Sequence, residues 1–338
     1  MKKHIVLYKL LQPDVLALLK EHFEVAEFDG LGAATQPDFL AALERAQGLI
    51  GMYGRVDAAL IARAPRLEAL STVSVGYDAI DLEALNARGI MLTNTPDVLT
   101  ETTADTAFML ILGVARRVAE LAQWLKDGHW MRPVGAAQYG VDVHGKTLGI
   151  VGMGRIGAAV ARRAALGFGM RVLYTARSAK PELERELELG AQRCELDELL
   201  RQSDFVCVLA PLTAQTRHLI GARELALMKP AAFLVNAARG AIVDERALIA
   251  ALERRQIAGA GLDVFEREPL PPDSPLLAMP NVLALPHIGS ATRETRHAME
   301  LCAARNLIDA LAGRRPQYLV NPQVLRAAPK RSDAPLPP

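Results

Sequence analysis

The sequence is short of cysteine, of net charge and of long apolar runs, and each shortage excludes a class of protein. Its three cysteines, Cys194, Cys207 and Cys302, match neither a CxxC motif nor a disulfide framework, so we expect reduced thiols in a cytoplasmic protein. Lys and Arg number 39 against 38 Asp and Glu, and the net charge of +1 argues against a broadly basic nucleic-acid binder. The most apolar segment, Ala107–Ala115, is too short to cross a bilayer, so no membrane partner is expected.

The chain is long enough for two domains. Its 338 residues exceed one typical domain, and 51% of them are apolar, which is ample material for packed cores. Short apolar runs such as Ile5–Tyr8 alternate with helical patterns, and the alternation restarts at Thr147–Met153. Between the two series, the pattern predicts one long helix over 100–126. Strands that alternate with helices indicate α/β domains, each with a doubly wound parallel sheet.

A glycine-rich turn is the strongest local motif. It runs Gly152-Met153-Gly154-Arg155-Ile156-Gly157, directly after the apolar strand pattern at 148–151 and at the start of a helical pattern. In this context the first glycine permits a tight turn, the second lets a pyrophosphate approach the backbone, and the third lets the helix pack against the strand. The free N–H groups of the helix N-terminus would bind the phosphates. The motif therefore predicts a dinucleotide site.

The end of the next strand predicts which dinucleotide is bound. NAD-binding proteins of this type usually carry an acidic residue there, about 20 residues beyond the glycine turn. Here Thr175 stands in that place, and Arg177 and Ser178 follow it. A guanidinium can bind a 2′-phosphate in bidentate fashion, whereas a carboxylate would repel it. The sequence therefore favours NADP(H), with NAD(H) as the alternative.

Three ionisable residues follow predicted strands of the second series: Arg239, Glu268 and His287. Ligands of open α/β sheets bind outside the carboxyl ends of the strands, so these side chains are expected to meet in one crevice. Glu266 is a second acid that could pair with His287, and the residues alone leave both acids open. The other histidines lack the paired spacing typical of metal ligands, so no metal site is expected.

These motifs resemble those of the D-isomer-specific 2-hydroxyacid dehydrogenases. The similarity extends from Leu7 to Pro322 and rests on the glycine turn, on Asn236-Ala237-Ala238-Arg239-Gly240, on Asp-Val-Phe-Glu-Arg-Glu-Pro at 263–269 and on Pro-His-Ile-Gly-Ser at 286–290. Within the family, the chain is most similar to the branch that reduces glyoxylate, hydroxypyruvate and 2-ketogluconate. That similarity rests on the segments at 74–78, 95–102, 139–144 and 203–207.

The resemblance implies a role for each candidate residue. His287 would be the general acid in reduction. Glu268, which stands at the position before the proline in the family motif, would orient the ring of His287. Arg239 would bind the substrate carboxylate and keto oxygen. The residues implied to hold the substrate carboxylate through their backbone are Ser74, Val75 and Gly76. Besides the glycine turn, Arg177 and Ser178, the residues implied at the cofactor site are Thr106, Ala210, Pro211, Ala237, Asp263 and Gly289.

Together, the residues and the resemblance predict a two-domain α/β enzyme. A Rossmann coenzyme domain is expected over 100–289, a discontinuous flavodoxin-like substrate domain over 1–99 and 290–323, and a poorly ordered tail over 324–338. The expected reaction is NADPH-dependent reduction of a small-molecule 2-keto acid to the D-2-hydroxy acid. The long helix predicted over 100–126 makes a homodimer the expected assembly.

Two alternative functions stay open. The first is an NAD-dependent dehydrogenase of the same family that acts on phosphoglycerate or phosphite, and Arg177 argues against it. The second is a nucleotide-sensing, corepressor-like binding protein, because a fold alone does not fix a function. Turnover of a 2-keto acid would exclude this second alternative.

Overall fold

The structure is a computed structural model, and it describes residues 1–32, 36–186 and 191–327. The strands, in chain order, are β1 Lys3–Leu7, β2 Phe23–Glu27, β3 Gly48–Gly51, β4 Ala69–Thr72, β5 Met91–Thr93, β6 Thr147–Val151, β7 Arg171–Thr175, β8 Gln192–Arg193, β9 Phe205–Val208, β10 Phe233–Asn236, β11 Gly259–Leu262 and β12 Val282–Ala284. The α-helices are α1 Pro13–His22, α2 Pro37–Arg45, α3 Ala58–Ala62, α4 Leu82–Ala87, α5 Thr100–Ala115, α6 Val118–Lys126, α7 Arg155–Arg162, α8 Pro181–Glu186, α9 Leu196–Gln202, α10 Ala222–Leu227, α11 Glu245–Glu253, α12 Arg293–Leu311 and α13 Val324–Ala327.

The chain divides into two compact units. Unit 1 contains Met1–Leu99 and Thr292–Pro338, and unit 2 contains Thr100–Ala291. Unit 1 has a 5-stranded sheet in the order β2-β1-β3-β4-β5, and every pair of neighbouring strands is parallel. This is the flavodoxin-like order, which agrees with the fold predicted for the substrate domain.

The elements of unit 1 form where the sequence supplies burial and caps. Every residue of β3 and β4 is buried, as is usual for parallel strands that are covered on both faces. Pro13 and Pro37 open α1 and α2, where a missing N–H costs nothing. Asp57 and Asp81 cap α3 and α4 by accepting backbone N–H groups of the first turn.

Unit 2 has a 7-stranded parallel sheet in the order β12-β11-β10-β9-β6-β7-β8. From β6 the chain proceeds to β7 and β8 on one side, and then returns to β9 on the other side. The carboxyl end of β6 is therefore the topological switch point of a Rossmann fold, where ligands of open α/β sheets bind. The predicted α/β class, with two doubly wound sheets, is confirmed.

The prediction of a single helix over 100–126 is wrong, because the structure has two helices there, α5 and α6. Arg117 lies between them with a left-handed φ of 55°. Its guanidinium donates to both carboxylate oxygens of Glu120 and to the carbonyl of Ala137, which stabilises the break. The apolar pattern continues across Arg117, so periodicity alone does not reveal the turn. The two helices also differ in burial, since α5 is largely buried and α6 buries no residue.

Two further features differ from the sequence prediction. The two-residue strand β8 was not predicted, because Gln192 and Arg193 are polar and exposed and give no apolar pattern. The helical turn α13 lies inside the tail predicted to be poorly ordered, so that prediction is wrong for 324–327, and 328–338 lie outside the described residues. Within the described ranges, no helix has both the length and the apolar character needed to cross a membrane.

Candidate active site

The glycine turn lies at the switch point of unit 2 and has the geometry that a dinucleotide needs. Gly152 has a φ of +107°, and a Cβ there would lie 2.5 Å from the backbone nitrogen of Ala210. A Cβ on Gly157 would lie 2.4 Å from the Gly152 carbonyl oxygen, so only glycine lets α7 approach β6 this closely. A Cβ on Gly154 would meet nothing within 4 Å, and this open space lies at the N-terminus of α7. The residues present therefore fit a pyrophosphate.

Of the other residues in the glycine turn, two pack in or against the core of unit 2 and one is exposed. Met153 is buried in the core of unit 2, and Ile156 packs against that core. Arg155, the first residue of α7, is exposed beside the turn. Ala210 and Pro211 follow β9, the neighbour of β6, so the predicted cofactor residues Ala210 and Pro211 lie at the same switch point.

The loop after β7 presents the predicted selector of the dinucleotide. Thr175 ends β7, and its carbonyl accepts the backbone N–H of Gly152 at 3.0 Å. Arg177 and Ser178 follow and are exposed. No carboxylate occupies the end of this strand, so the loop fits a 2′-phosphate better than a bare ribose.

His287 and Glu268 form an ion pair. The two residues follow β12 and β11, which are neighbours in the sheet. Nδ1 of His287 lies 2.7 Å from Oε2 of Glu268, and each side chain is about one third exposed, at 36% and 35%. The backbone N–H of Phe265 donates to the other carboxylate oxygen at 3.0 Å. An Nδ1–H that donates to Glu268 leaves Nε2 as the nitrogen that faces outward for proton transfer.

The surroundings of Glu268 favour its ionised form. Burial alone would raise the pKa of this carboxyl group, but the hydrogen bonds from His287 and from the Phe265 N–H hold the pKa below its usual value. The positive charge of Arg239 acts in the same direction. Glu268 is therefore a carboxylate at neutral pH, which is the form that orients and stabilises an imidazolium.

The second acid that the sequence left open has another partner. Oε1 of Glu266 lies 2.7 Å from Nε2 of His218 and accepts the backbone N–H of Glu245 at 3.3 Å. The backbone N–H of Glu266 in turn donates to Oε2 of Glu245 at 3.0 Å. Glu266 thus ties the loop after β11 to the start of α11, and the structure pairs His287 with Glu268 instead.

Asp263 supports the loop that carries His287. It is 1% exposed, and its two carboxylate oxygens accept the backbone N–H groups of Ile288 and Gly289 at 2.7 and 2.8 Å. Burial raises the pKa of Asp263, although the two N–H donors oppose the shift. The loop needs this support because His287 has a left-handed φ of 53°, which costs energy in a residue with a Cβ.

Arg239 stands on a turn that Asn236 closes. The side chain of Asn236, which is 1% exposed, donates to the Arg239 carbonyl at 3.0 Å and accepts the Ala238 N–H at 3.1 Å. Nη1 of Arg239 donates to the Ala238 carbonyl at 2.8 Å. The guanidinium is close enough to Glu268 to affect its carboxylate, so the three predicted catalytic residues lie in one region of unit 2.

Comparison with known proteins identifies the family. The profile described as "D-isomer specific 2-hydroxyacid dehydrogenase, NAD binding domain" matches residues 108–289. A glyoxylate/hydroxypyruvate reductase B of Yersinia enterocolitica is 55% identical over 328 residues, which is 97% of this chain and 100% of the relative. The chain belongs to the D-isomer-specific 2-hydroxyacid dehydrogenase family.

Solved structures of similar proteins carry related names. An NADPH-dependent glyoxylate/hydroxypyruvate reductase from Sinorhizobium meliloti, crystallised with NADP and malonate, is 36% identical with a TM-score of 0.84. The match covers 95% of this chain and 97% of that one. A glyoxylate reductase from Paecilomyes thermophila is 35% identical, with a TM-score of 0.84 and coverage of 95% and 99%.

The residues predicted for the substrate carboxylate lie in unit 1 of this 2-hydroxyacid dehydrogenase. Ser74, Val75 and Gly76 follow β4. The Ser74 hydroxyl donates to the Gly76 carbonyl at 2.7 Å, and Asn94 Nδ2 donates to the Val75 carbonyl at 2.9 Å, so the loop is held by its carbonyl groups. Among the described residues, the N–H groups of Val75 and Gly76 have no acceptor. Their assignment to the substrate carboxylate stays a prediction.

The remaining predicted cofactor residues have the following places in unit 2. The Thr106 hydroxyl donates to the Thr102 carbonyl within α5 at 3.2 Å, Ala237 directly follows β10, and Gly289 is buried against Asp263. Their contacts with a cofactor stay predictions. Over the described part of the chain, no three His, Cys, Asp or Glu side chains are grouped as metal ligands.

Two supporting groups have roles that were not predicted from the sequence. The positioning role of Asn236 could have been inferred, because a polar residue at the end of an apolar strand often closes the following turn. The pairing of Glu266 with His218 had no local signal, since the two residues lie 48 positions apart in the chain.

Proposed function

We propose that this chain is an NADPH-dependent reductase of small 2-keto acids, with glyoxylate and hydroxypyruvate as leading substrates and 2-keto-D-gluconate next. The observation that carries the proposal is the 2.7 Å contact between Nδ1 of His287 and Oε2 of Glu268, with Arg239 close by. A paired imidazolium can deliver a proton, and a guanidinium can bind a carboxylate and stabilise negative charge on a keto oxygen. The names of the relatives support the substrate class.

His287 supplies the proton in this reaction. NADPH, which the glycine turn would hold, would supply the hydride for the keto carbon of the substrate. Nε2 of His287 gives its proton to the keto oxygen, so the products are the 2-hydroxy acid and an imidazole that regains a proton from water. Glu268 holds Nδ1 and thereby keeps the ring turned with Nε2 outward. In the oxidation direction, the same nitrogen accepts the proton.

Arg239 binds the substrate and stabilises the charge that develops on its oxygen. Its backbone is fixed by Asn236, so the guanidinium is presented from a rigid turn. A planar fork of N–H donors matches a 2-keto carboxylate better than a point charge does. Formate oxidation would need no proton carrier, and the paired His287 and Glu268 therefore favour a keto acid over formate.

The proposed cofactor is NADP(H), with NAD(H) as the weaker ligand. The glycine turn would hold the pyrophosphate, and Arg177 and Ser178 would bind the 2′-phosphate. The open space beside Gly154 supports the binding of a dinucleotide, and the absence of a carboxylate at Thr175 supports NADP(H) over NAD(H).

We also propose a homodimer in solution. Helix α6 buries no residue within the chain, and the segment 118–141 exposes several large apolar side chains. They are Val118, Leu125, Trp130, Met131, Val134, Tyr139 and Val141, each at least 42% exposed. Large apolar side chains exposed together in one segment are typical of a contact between subunits. Sedimentation equilibrium would test the dimer, and a monomer at micromolar concentration would contradict it.

The cytoplasm is the proposed compartment. It is supported by the three cysteines, none of which forms a disulfide. Fractionation of cells that produce the native chain would test this proposal, and recovery outside the cytoplasmic fraction would contradict it.

The test of the function is a set of initial rates with each pairing of NADPH or NADH with glyoxylate, hydroxypyruvate or 2-keto-D-gluconate. We expect turnover with all three acids and a preference for NADPH. Turnover of phosphoglycerate or phosphite with NAD, and none of these three acids, would support the first alternative, an NAD-dependent dehydrogenase of the same family. Cofactor binding without turnover of any acid would favour the sensing protein.

A further inference from the structure

The loop between β7 and α8, residues 176–180, is anchored at both ends. The carbonyl of Ala176 accepts a hydrogen bond from Nε of Arg193 at 3.1 Å, and Arg193 lies on the neighbouring strand β8. At the other end, the backbone N–H of Lys180 donates to the hydroxyl of Tyr174 at 2.7 Å. Between the two anchors, Arg177 and Ser178 are exposed. The conformation of these two residues therefore depends on the anchors.

Tyr174 is the unusual member of this arrangement. It lies on β7, its side chain is 0% exposed, and its ring belongs to the core of unit 2. Its hydroxyl donates to Oε1 of Glu184 on α8 at 2.5 Å while it accepts the Lys180 N–H. Burial raises the pKa of Tyr174, and the Glu184 hydrogen bond adds to that shift, so the hydroxyl keeps its proton.

Packing alone does not account for the hydroxyl of Tyr174. Phenylalanine would fill the same part of the core without a polar group that must find partners. The hydroxyl instead joins the sheet to Lys180, which directly precedes α8, and to Glu184 in the first turn of α8, and these two contacts close the loop. A side chain fixed in the core thus determines where the exposed loop ends and α8 begins.

We propose that Tyr174 and Glu184 are positioning residues that hold the 176–180 loop in the conformation in which Arg177 and Ser178 bind the 2′-phosphate of NADP(H). The inference rests on the proposed preference for NADP(H). Neither residue touches the nucleotide in this proposal. They act through the loop, and the pyrophosphate site at the glycine turn does not depend on them.

The test measures binding with fragments that differ in the 2′-phosphate. Dissociation constants of 2′,5′-ADP and of 5′-ADP are measured by calorimetry for the wild-type enzyme, Tyr174→Phe, Glu184→Ala and Glu184→Gln. Tyr174→Phe and Glu184→Ala should weaken the binding of 2′,5′-ADP by about tenfold, which corresponds to the loss of about one buried hydrogen bond. The same variants should change the affinity for 5′-ADP by less than about twofold. Glu184→Gln should restore most of the affinity, because the amide oxygen can still accept the hydroxyl. The matched control is Glu182→Ala, which removes the same charge from an exposed position of α8.

The outcomes separate this inference from the function on which it rests. Equal weakening of both fragments by Tyr174→Phe would assign the hydroxyl to general stability and overturn the inference. Unchanged binding of 2′,5′-ADP, or an equal effect of Glu182→Ala, would overturn it as well. If the wild-type enzyme bound 2′,5′-ADP no more tightly than 5′-ADP, the proposed preference for NADP(H) would itself be wrong.

Discussion

Gly240 lies directly against the backbone of Phe265, and this contact joins two loops of the active site. A Cβ on Gly240 would be 1.8 Å from the Phe265 carbonyl carbon and 2.3 Å from the Glu266 nitrogen. Gly240 follows Arg239, and Phe265 donates its N–H to Glu268. The spacing between Arg239, the proposed substrate-binding cation, and Glu268, the partner of His287, therefore depends on a glycine that has no reactive side chain.

The first prediction concerns this glycine. Gly240→Ala should lower the free energy of unfolding by about 3 kcal/mol, because the added methyl group overlaps backbone that no side-chain movement can relieve. It should also lower kcat, since Arg239 and Glu268 can no longer hold their separation. Chemical denaturation and initial rates measure the two effects. The matched control is Gly135→Ala, where a Cβ would meet nothing within 4 Å, and equal stability of the two variants would refute the argument.

Much of this site could be predicted from the sequence, because its residues follow strands. The glycine turn, Arg239, Glu268 and His287 are all adjacent to short apolar runs, and parallel strands bring their carboxyl ends to one edge of a sheet. Strand periodicity therefore located the site. The identity of the acid that pairs with His287 needed the family resemblance, because two glutamates are two residues apart.

The parts that the sequence did not predict depend on contacts between distant segments. The break at Arg117 is stabilised by the Ala137 carbonyl, 20 residues away, and the apolar pattern runs through it. The support that Asp263 gives to the loop after His287 spans 25 residues. Such contacts join segments that are distant in the sequence, so no local pattern records them.

The second prediction concerns His287, the proposed proton donor. His287→Asn should lower kcat for the reduction of glyoxylate by about 10²–10⁴-fold, the usual contribution of a general acid, and leave the dissociation constant of NADPH unchanged. His218→Asn is the matched control, because His218 is also paired with a glutamate at 2.7 Å but lies outside the proposed chemistry. Comparable loss of turnover in both variants, or loss of NADPH binding in His287→Asn, would contradict the assigned role.

The third prediction concerns the pH dependence of stability. The pKa of Glu268 in the folded state lies below its usual value, because the hydrogen bonds from His287 and the Phe265 N–H outweigh the effect of burial. Its ionised form therefore stabilises the native state above the unfolded pKa, and this contribution is lost as the pH falls through the folded pKa. Glu268→Gln should lower the free energy of unfolding at neutral pH by less than about 1 kcal/mol, since the pair is partly exposed, and the difference should vanish in acid.

The same variant has a kinetic consequence. Without the carboxylate, Nδ1 of His287 loses the charged acceptor that keeps Nε2 turned outward, so kcat for the reduction of glyoxylate should fall. Denaturation curves over a range of pH and initial rates at neutral pH give the two measurements. Glu266→Gln is the control, because its partner is His218. An equal fall of kcat in the two glutamine variants would show that the effect does not arise from the His287 pair.

The last prediction concerns Arg177, the charge proposed to select the cofactor. Arg177→Asp places a carboxylate near the position where acidic residues bind the ribose hydroxyls of NAD, and it removes a cation from the loop after β7. It should raise the KM for NADPH by about 10²-fold or more and change the KM for NADH by less than about threefold, since repulsion of a dianion replaces a charge-assisted hydrogen bond. The control is Arg185→Asp, an exposed position on α8 with the same change of charge. If both variants lowered the preference for NADPH equally, the effect would be one of net charge and Arg177 would have no direct role. If the ratio of the KM values for NADPH and NADH were unchanged in Arg177→Asp, the 2′-phosphate would bind elsewhere.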